Sequence, residues 1–298
     1  MIVALTGATG FVGGRTLGLL LERGHAVRAL IRRDQAARDG VTWVAGALDR
    51  PASLDALVAG ADAVVHVAGV VSAPDRAGFV AGNVDGTRAV VGAATRAGVR
   101  RFVHVSSLAA REPALSLYGW SKAEAERVLA GCALDWTIVR PPAVYGPGDL
   151  EQLDVFRLAR RGLALLPPPG RMSAIMVDDL AALLVALAER GGPRTIYEAD
   201  DGQVFTHADY ARAIGRAVGR RVVPLPLPAP VLRLGGRVDR LLRGPKAKLT
   251  PDRARYLAHR DWAVDPKHRP PPELWTPRVP LDDGLAAAVR WYRAQGLL

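Results

Sequence analysis

The stretch SLYGWSK, residues 116–122, puts Tyr118 and Lys122 four positions apart, so a helix beginning there carries both on one face. A free tyrosine titrates near about 10, too high for efficient proton transfer at neutral pH. An ammonium beside it stabilises the phenolate and is expected to lower that value. The residue type is informative in itself. The chain has 40 Lys+Arg, yet its only lysines are Lys122, Lys246, Lys248 and Lys267. Lysine is a compact, rotatable point donor where arginine is a planar fork, so position 122 reads as one that needs an ammonium. Ser106 and Ser107 close an apolar run upstream, with eleven positions separating Ser107 from Tyr118.

A second chemistry-bearing pattern lies at the start of the chain. TGATGFVG (6–13) has glycines at 7, 10 and 13 after an apolar run and before a helical pattern. Gly7 suits a tight turn, Gly10 a close approach of backbone to a pyrophosphate, and Gly13 close packing of helix on sheet. The helix N-terminus then offers free N–H groups and partial positive charge to phosphates. The second strand ends in VRALIRRD. An acidic residue there would bind a ribose 2′-hydroxyl and repel a 2′-phosphate, whereas Arg32 and Arg33 suit the phosphate. NADP(H) is therefore favoured over NAD(H), the alternative being two solvated surface arginines.

Such groups need a frame that brings strand ends together. Apolar runs at 2–6, 26–31, 42–44, 63–67, 102–106 and 136–140 read as strands, alternating with helical patterns at 14–23, 53–58, 84–97 and 121–130. This alternation predicts a parallel sheet with helices on both faces and ligands beyond the carboxyl ends of the strands. RPPAVYGPGD (140–149) and LLPPPG (165–170) interrupt the pattern, and 177–189 reads as one more helix with Asp178 as N-cap. PLPLPAP (224–230) excludes regular helix. The following VLRLGGRVDRLLRG has Leu234, Val238 and Leu241 on one helical face and Arg233, Arg237 and Arg240 on another. A membrane-surface helix has that pattern. An ordinary helix packed on the end lobe is the preferred reading, because Gly235–Gly236 weakens a free-standing helix.

With 298 residues, 49% of them apolar, the chain can bury a large core. A single cysteine, Cys132, excludes an internal disulfide framework, and no apolar stretch is long enough to span a membrane. A cytoplasmic protein without integral membrane contact is expected. The net charge of +11 is concentrated in residues 211–270, but no nucleic-acid-binding motif accompanies it, so no nucleic-acid partner is expected.

The chain resembles the extended short-chain dehydrogenase/reductase family, also called NAD-dependent epimerase/dehydratase-like proteins. The carrying motifs are TGATGFVG, VVHVAG (64–69), NVDGT (83–87), HVSS (104–107), YGWSK (118–122) and RPPAVYGPGD. The resemblance implies an α/β fold: a Rossmann-type doubly wound parallel sheet with a smaller C-terminal substrate-binding lobe. Residues 1–145 and 171–200 would form the dinucleotide-binding domain, and 146–170 with 201–298 the lobe. It implies hydride transfer between a nicotinamide and a carbonyl or alcohol carbon. Tyr118 matches the general acid/base and Lys122 its partner. Ser107 matches the hydroxyl that holds the substrate oxygen, with Ser106 in the nicotinamide pocket or the two roles exchanged. The implied cofactor contacts are Gly7, Thr9, Gly10, Phe11, Val12, Gly13, Arg32, Arg33, Leu48, Ala68, Gly69, Asn83, Ser106, Tyr118, Lys122, Pro141 and Val144. The implied partner is a small-molecule substrate, and helices flanking the sheet allow a homodimer.

This sequence departs from the family pattern at Ala47, where an adenine-binding Asp is common, and at Met176, where His is common. The short Ser107–Tyr118 interval, the arginines at the ribose site and the WYRAQGLL ending (291–298) favour the hydroxysteroid-dehydrogenase and dihydroflavonol-reductase-like branch. An NADP(H)-dependent oxidoreductase acting on a small or apolar substrate is the leading expectation. A sugar-nucleotide epimerase or dehydratase that retains NAD, and a non-catalytic dinucleotide sensor or assembly subunit, stand as alternatives. Two further residues carry open readings. Asn83 either organises active-site backbone or caps a helix starting at Val84, and Tyr145 either touches substrate or packs. His66 and His104 at strand ends are expected to bind no metal.

Overall fold

The computed structural model describes residues 1–192, 194–244 and 249–298; Lys246 and Lys248 lie outside the described residues. The first part of the chain alternates β1 (Ile2–Thr6), α1 (Phe11–Glu22), β2 (Ala26–Ile31), β3 (Val41–Ala45), α2 (Pro51–Val58), β4 (Ala63–His66), α3 (Arg76–Phe79), α4 (Gly86–Arg96), β5 (Arg101–Val105), α5 (Leu117–Ala130) and β6 (Asp135–Arg140). There follow β7 (Ala143–Tyr145), α6 (Leu153–Arg160), β8 (Leu163–Leu166), β9 (Arg171–Met172), β10 (Ala174–Met176), α7 (Val177–Arg190) and β11 (Thr195–Glu198). The last stretch contains β12 (Phe205–Thr206), α8 (His207–Val218), β13 (Val223–Pro226), α9 (Ala229–Arg243), α10 (Pro251–Leu257), β14 (Asp261–Trp262) and α11 (Leu281–Ala294).

The central sheet has seven parallel strands in the order β11-β6-β5-β4-β1-β2-β3. Its strands are short apolar runs because helices cover both faces. Leu17 and Leu20 of α1 and Leu180, Leu184 and Leu187 of α7 pack on one side. Leu54 and Leu57 of α2, Val90 and Val91 of α4 and Leu129 of α5 pack on the other. Winding reverses at β1, flanked by β2 on one side and β4 on the other, which opens a crevice beyond the ends of β1 and β4. A separate core of Tyr145, Phe156, Tyr210, Ile214, Leu285 and Tyr292 holds the C-terminal elements together. The expected Rossmann-type doubly wound sheet is the observed fold.

Several local expectations change. Helix α5 begins four residues earlier than the periodicity predicts, because the Ser116 side chain caps it by accepting the Gly119 N–H at 3.0 Å. Helix α1 begins at Phe11, directly on Gly10. The single helix expected over 84–97 is instead α3, a π-helical turn at Val80–Asp85, and α4. Asp178 is not the N-cap of α7: Met176 occupies that position, and Asp178 pairs with Arg15 of α1. Asp179 accepts the N–H groups of Arg278 and Val279 at 3.0 Å, tying the segment before α11 to α7. Residues 223–226 form an edge strand, a place that tolerates Pro224 and Pro226 without ladder N–H groups. Helix α9 does pack on the lobe, but through the narrow side bearing Leu232 and Gly236. The apolar side bearing Leu234, Val238 and Leu241 is exposed.

His66 and His104 are register partners on β4 and β5, with rings stacked 5.3 Å apart and fully buried. His66 bonds Thr6 Oγ1 at 2.7 Å and Thr87 Oγ1 at 3.2 Å. Burial, reinforced by the Lys122 charge, pushes the His66 pKa down to about 3 and that of His104 well below its ordinary value. Both rings are therefore neutral in the fold but take up protons below about 6.5 when unfolded. Their contribution is complete above about pH 6.5 and is lost on acidification, at up to about 1.4 kcal/mol per pH unit for each ring. His104→Phe should flatten the fall in unfolding free energy between pH 6.5 and 5, measured by urea titration. An unchanged slope would contradict this assignment.

Candidate active site

The glycine turn is built as the crevice requires. Gly7 has φ of +76°, and a side chain on it would reach within 2.8 Å of the Ala68 backbone nitrogen. Gly10 N–H donates to Gly7 O at 2.9 Å to close the turn. A side chain on Gly13 would collide with the Gly7 carbonyl, so this glycine sets the distance between α1 and the sheet. No side chain caps α1, and Gly10 is exposed. Its first N–H groups therefore face the crevice free to bind an anion. Thr9 is exposed beside them, with Phe11 and Val12 half-buried at the helix start.

The remaining walls come from neighbouring strand ends. Arg32 and Arg33 follow β2, exposed, and among the described residues neither pairs with a carboxylate. Leu48 packs against the start of α4, where a side chain on Gly86 would meet it. Ala68 N–H donates to Thr6 Oγ1 at 3.1 Å, and Gly69 is exposed next to it. Pro141 is buried after β6 and accepts the Leu108 N–H at 3.0 Å. Val144 lies half-buried on β7. Residues of types suited to the phosphate, ribose and base of a dinucleotide thus follow the ends of neighbouring strands.

The Ser-Tyr-Lys group sits where β5 and α5 meet. Tyr118 is in the first turn of α5, whose end is also fixed by Asp252 accepting the Leu117 N–H at 3.1 Å. Phe79 of α3 lies 6.5 Å from the Tyr118 ring, and Tyr256 of α10 joins the same cluster with Leu108, Trp262 and Val264. Burial raises the phenol pKa, and a hydrogen bond with the Ser107 hydroxyl works against that rise. The expectation that Lys122 holds the phenol down is not met. Instead Lys122 Nζ donates to Val105 O at 2.7 Å, and burial pushes its own pKa down to about 8, with Glu126 acting to raise it. Of the two serines, Ser107 interacts with the phenol, whereas the Ser106 hydroxyl donates to Glu126 Oε1 at 2.5 Å.

Asn83 is not a helix cap. It lies inside the π turn, accepts the Val70 N–H at 2.8 Å, donates to Val70 O at 3.0 Å and to Ser121 Oγ at 2.8 Å. It therefore organises backbone, clamping the loop after β4 to α5. A methyl group on Gly69 would lie 2.7 Å from Asn83 Oδ1 and 3.7 Å from Lys122 Nζ, so the lysine reaches this loop. Tyr145 packs: it is buried against Tyr210 and Gly284.

Four residues of the site escaped the sequence reading. Glu126 is gripped by Arg140 Nε at 2.9 Å and Nη2 at 2.6 Å. Arg140 also faces the buried Glu198 at 3.7 Å, which Arg111 meets from the other side at 3.4 Å. Arg111 and Glu198 bond the backbone of Asp261, Ala263 and Asp265, joining this charged row to the lobe. One signal was legible: Tyr118, Lys122 and Glu126 continue a four-residue stripe along α5. Arg140 and Glu198 come from β6 and β11 and have no local signature.

A glycine-cradled crevice at the reversal point of a parallel sheet, with a buried lysine at its floor, defines a dinucleotide-binding α/β protein. Residues 7–190 match the NAD(P)H-binding family model. The chain is 40% identical over its full length, and 96% of the relative's, to a ceramide reductase of Caulobacter vibrioides. It is 32% identical over 66% of its length, and 67% of the relative's, to a 4-hydroxy-2-methyl-3-oxo-4-farnesyl-3,4-dihydroquinoline-1-oxide ketoreductase of Stigmatella aurantiaca. Its fold is like that of the Bordetella bronchiseptica enzyme WbmH in complex with NAD+, with a TM-score of 0.76, 23% identity and 99% of each chain covered. The chain belongs to the NAD(P)-binding extended short-chain dehydrogenase/reductase family and is an NAD(P)-dependent oxidoreductase.

Glu126 is the anion that supports the Lys122 charge, so Glu126→Gln should lower the Lys122 pKa below about 8. The alkaline limb of dinucleotide affinity against pH, followed by fluorescence, should then move to lower pH. An unmoved limb in a folded variant would contradict the role given to Glu126.

Proposed function

We propose that the protein is an NADP(H)-dependent reductase that converts a ketone on an apolar, lipid-like substrate to a secondary alcohol. The observation that carries this reading is the state of Tyr118. Its phenol lies beside the Ser107 hydroxyl and within an apolar cluster of Leu108, Tyr256, Trp262 and Val264. Carbonyl reduction requires a proton donor at the oxygen, and the phenol with the neighbouring Ser107 hydroxyl, which works against the burial-driven rise of its pKa, supplies one. The surrounding apolar side chains favour a hydrocarbon-bearing substrate over a sugar nucleotide. The similarity to a ceramide reductase and a farnesyl-quinoline ketoreductase supports the same substrate class.

When bound, a reduced nicotinamide would supply a hydride to the carbonyl carbon. Tyr118 gives its proton to the carbonyl oxygen as negative charge develops there, and Ser107 donates a hydrogen bond to that oxygen. Gly7, Gly10 and the α1 N–H groups hold the pyrophosphate, and Lys122 offers donors to the ribose beside Gly69. Arg32 and Arg33 hold a 2′-phosphate, a pairing worth about 1.5–3 kcal/mol per charge-assisted hydrogen bond.

Tyr118→Phe should abolish NADPH oxidation with long-chain ketones while leaving NADPH affinity intact, and full turnover in that variant would sink the mechanism. Arg32→Ser with Arg33→Ser should weaken NADPH binding by about 10–100-fold and NADH binding little. Calorimetry with both dinucleotides reads this, and equal losses would remove the NADP preference.

A further inference from the structure

The C-terminal lobe carries an apolar surface that the chemistry above does not use. Fourteen large apolar side chains are exposed among the described residues, and nine of them lie on helix α9 and the paired strands β8 and β13. Val231, Leu234, Val238, Leu241 and Leu242 are on α9, with Leu241 85% and Leu242 78% exposed. Leu163, Leu165, Val223 and Leu225 are paired in register across β8 and β13, which leads directly into α9. At 3.6 residues per turn the five α9 side chains fall on an arc opposite Leu232 and Gly236. Those two are the buried residues of this helix, and a side chain on Gly236 would press on the backbone of Thr250 and Pro251. Seating α9 by its glycine side therefore turns its apolar side away from the protein.

Both elements combine exposed apolar side chains with exposed arginines. Arg233, Arg237 and Arg240 flank the apolar arc of α9, and Arg161, Arg220 and Arg221 sit where β8 and β13 begin. None of the six pairs with a carboxylate among the described residues. The one acidic residue of α9, Asp239, already holds Arg243 and the Leu249 N–H.

We infer that α9, with the β8–β13 edge, docks the protein on an anionic lipid surface. An amphipathic helix with an apolar face and flanking arginines lies in the headgroup plane, its apolar side in the acyl boundary and its cations against lipid phosphates. Charge selects this occupant over a second copy. A two-fold contact through the same face would bring the arginines of one α9 against those of the other with no free carboxylate between them. Outward-pointing Leu241 and Leu242 equally mismatch a nucleic-acid backbone. The docking is peripheral: no helix among the described residues is long and apolar enough to cross a membrane. Helix α9 packs on α10, whose Asp252 caps α5 and whose Tyr256 clusters with Tyr118. One helix therefore separates the docking surface from the catalytic wall.

The test is co-sedimentation of the full chain with vesicles of phosphatidylcholine alone and of equimolar phosphatidylcholine and phosphatidylglycerol. The wild type should bind the anionic vesicles and only weakly the neutral ones. Leu241→Asp with Leu242→Asp should lose binding to both. Arg233→Glu with Arg237→Glu should lose about tenfold or more on anionic vesicles only. All four positions are exposed, so melting temperature and NADPH affinity should stay at wild-type values, which separates docking from fold and from cofactor chemistry. Absence of binding by the wild type, or binding unaffected by either pair of substitutions, would overturn the proposal. So would a concentration-dependent dimer that Leu241→Asp dissolves without any vesicle binding.

Discussion

The site is organised around one buried cation. Lys122 is 6% exposed, and removing an ammonium from water costs several kcal/mol unless partners replace the solvent. Val105 O supplies one hydrogen bond, and Glu126, one turn further along α5, supplies the charge. Glu126 is itself buried and must be balanced, which Arg140 does with two hydrogen bonds. Arg140 and Arg111 then bracket Glu198. The row ends with three cations against two carboxylates, an excess of positive charge suited to a site for an anionic dinucleotide. Removing Glu126 would leave the buried Lys122 without a carboxylate, and the row of alternating charges ties β5, α5, β6, β11 and the lobe segment at 261–265 together.

The same constraint explains the lysine in an arginine-rich chain. The space beside Gly69 also contains the Asn83 carboxamide, which clamps the Val70 backbone and Ser121. A compact point charge fits there and keeps N–H groups for a ligand, whereas a guanidinium would need a planar slot. The glycine turn answers the complementary problem at the other strand end, where Gly7 and Gly13 let backbone pack on backbone and leave the α1 N–H groups facing the crevice. Fold and chemistry therefore meet at the reversal point between β1 and β4.

The sheet was legible in the sequence because a strand covered on both faces is a short apolar run bounded by turns, and β1 and β2 match the expected limits residue for residue. Tyr118, Lys122 and the glycines were legible through spacing. What was not legible depends on contacts distant in sequence. The π turn forms because Asn83 anchors to Val70 and Ser121, and Arg140 and Glu198 meet only once the sheet is assembled. The sign of the Tyr118 shift was misread for the same reason: spacing shows that an ammonium is near, but burial depends on Phe79, Tyr256 and Trp262 from three other segments. In α9 the amphipathic pattern was visible, yet the outward face was not. Gly236 suggested a weak helix, whereas its packing on Thr250 is what exposes the leucines.

The most direct test of the buried cation is a pH titration of the lysine side chains by NMR with carbon-labelled lysine, which the small number of lysines makes tractable. One ε-carbon should titrate near 8 and vanish from the spectrum of Lys122→Arg. A Lys122 signal titrating at the ordinary lysine value near 10.5 would contradict the account.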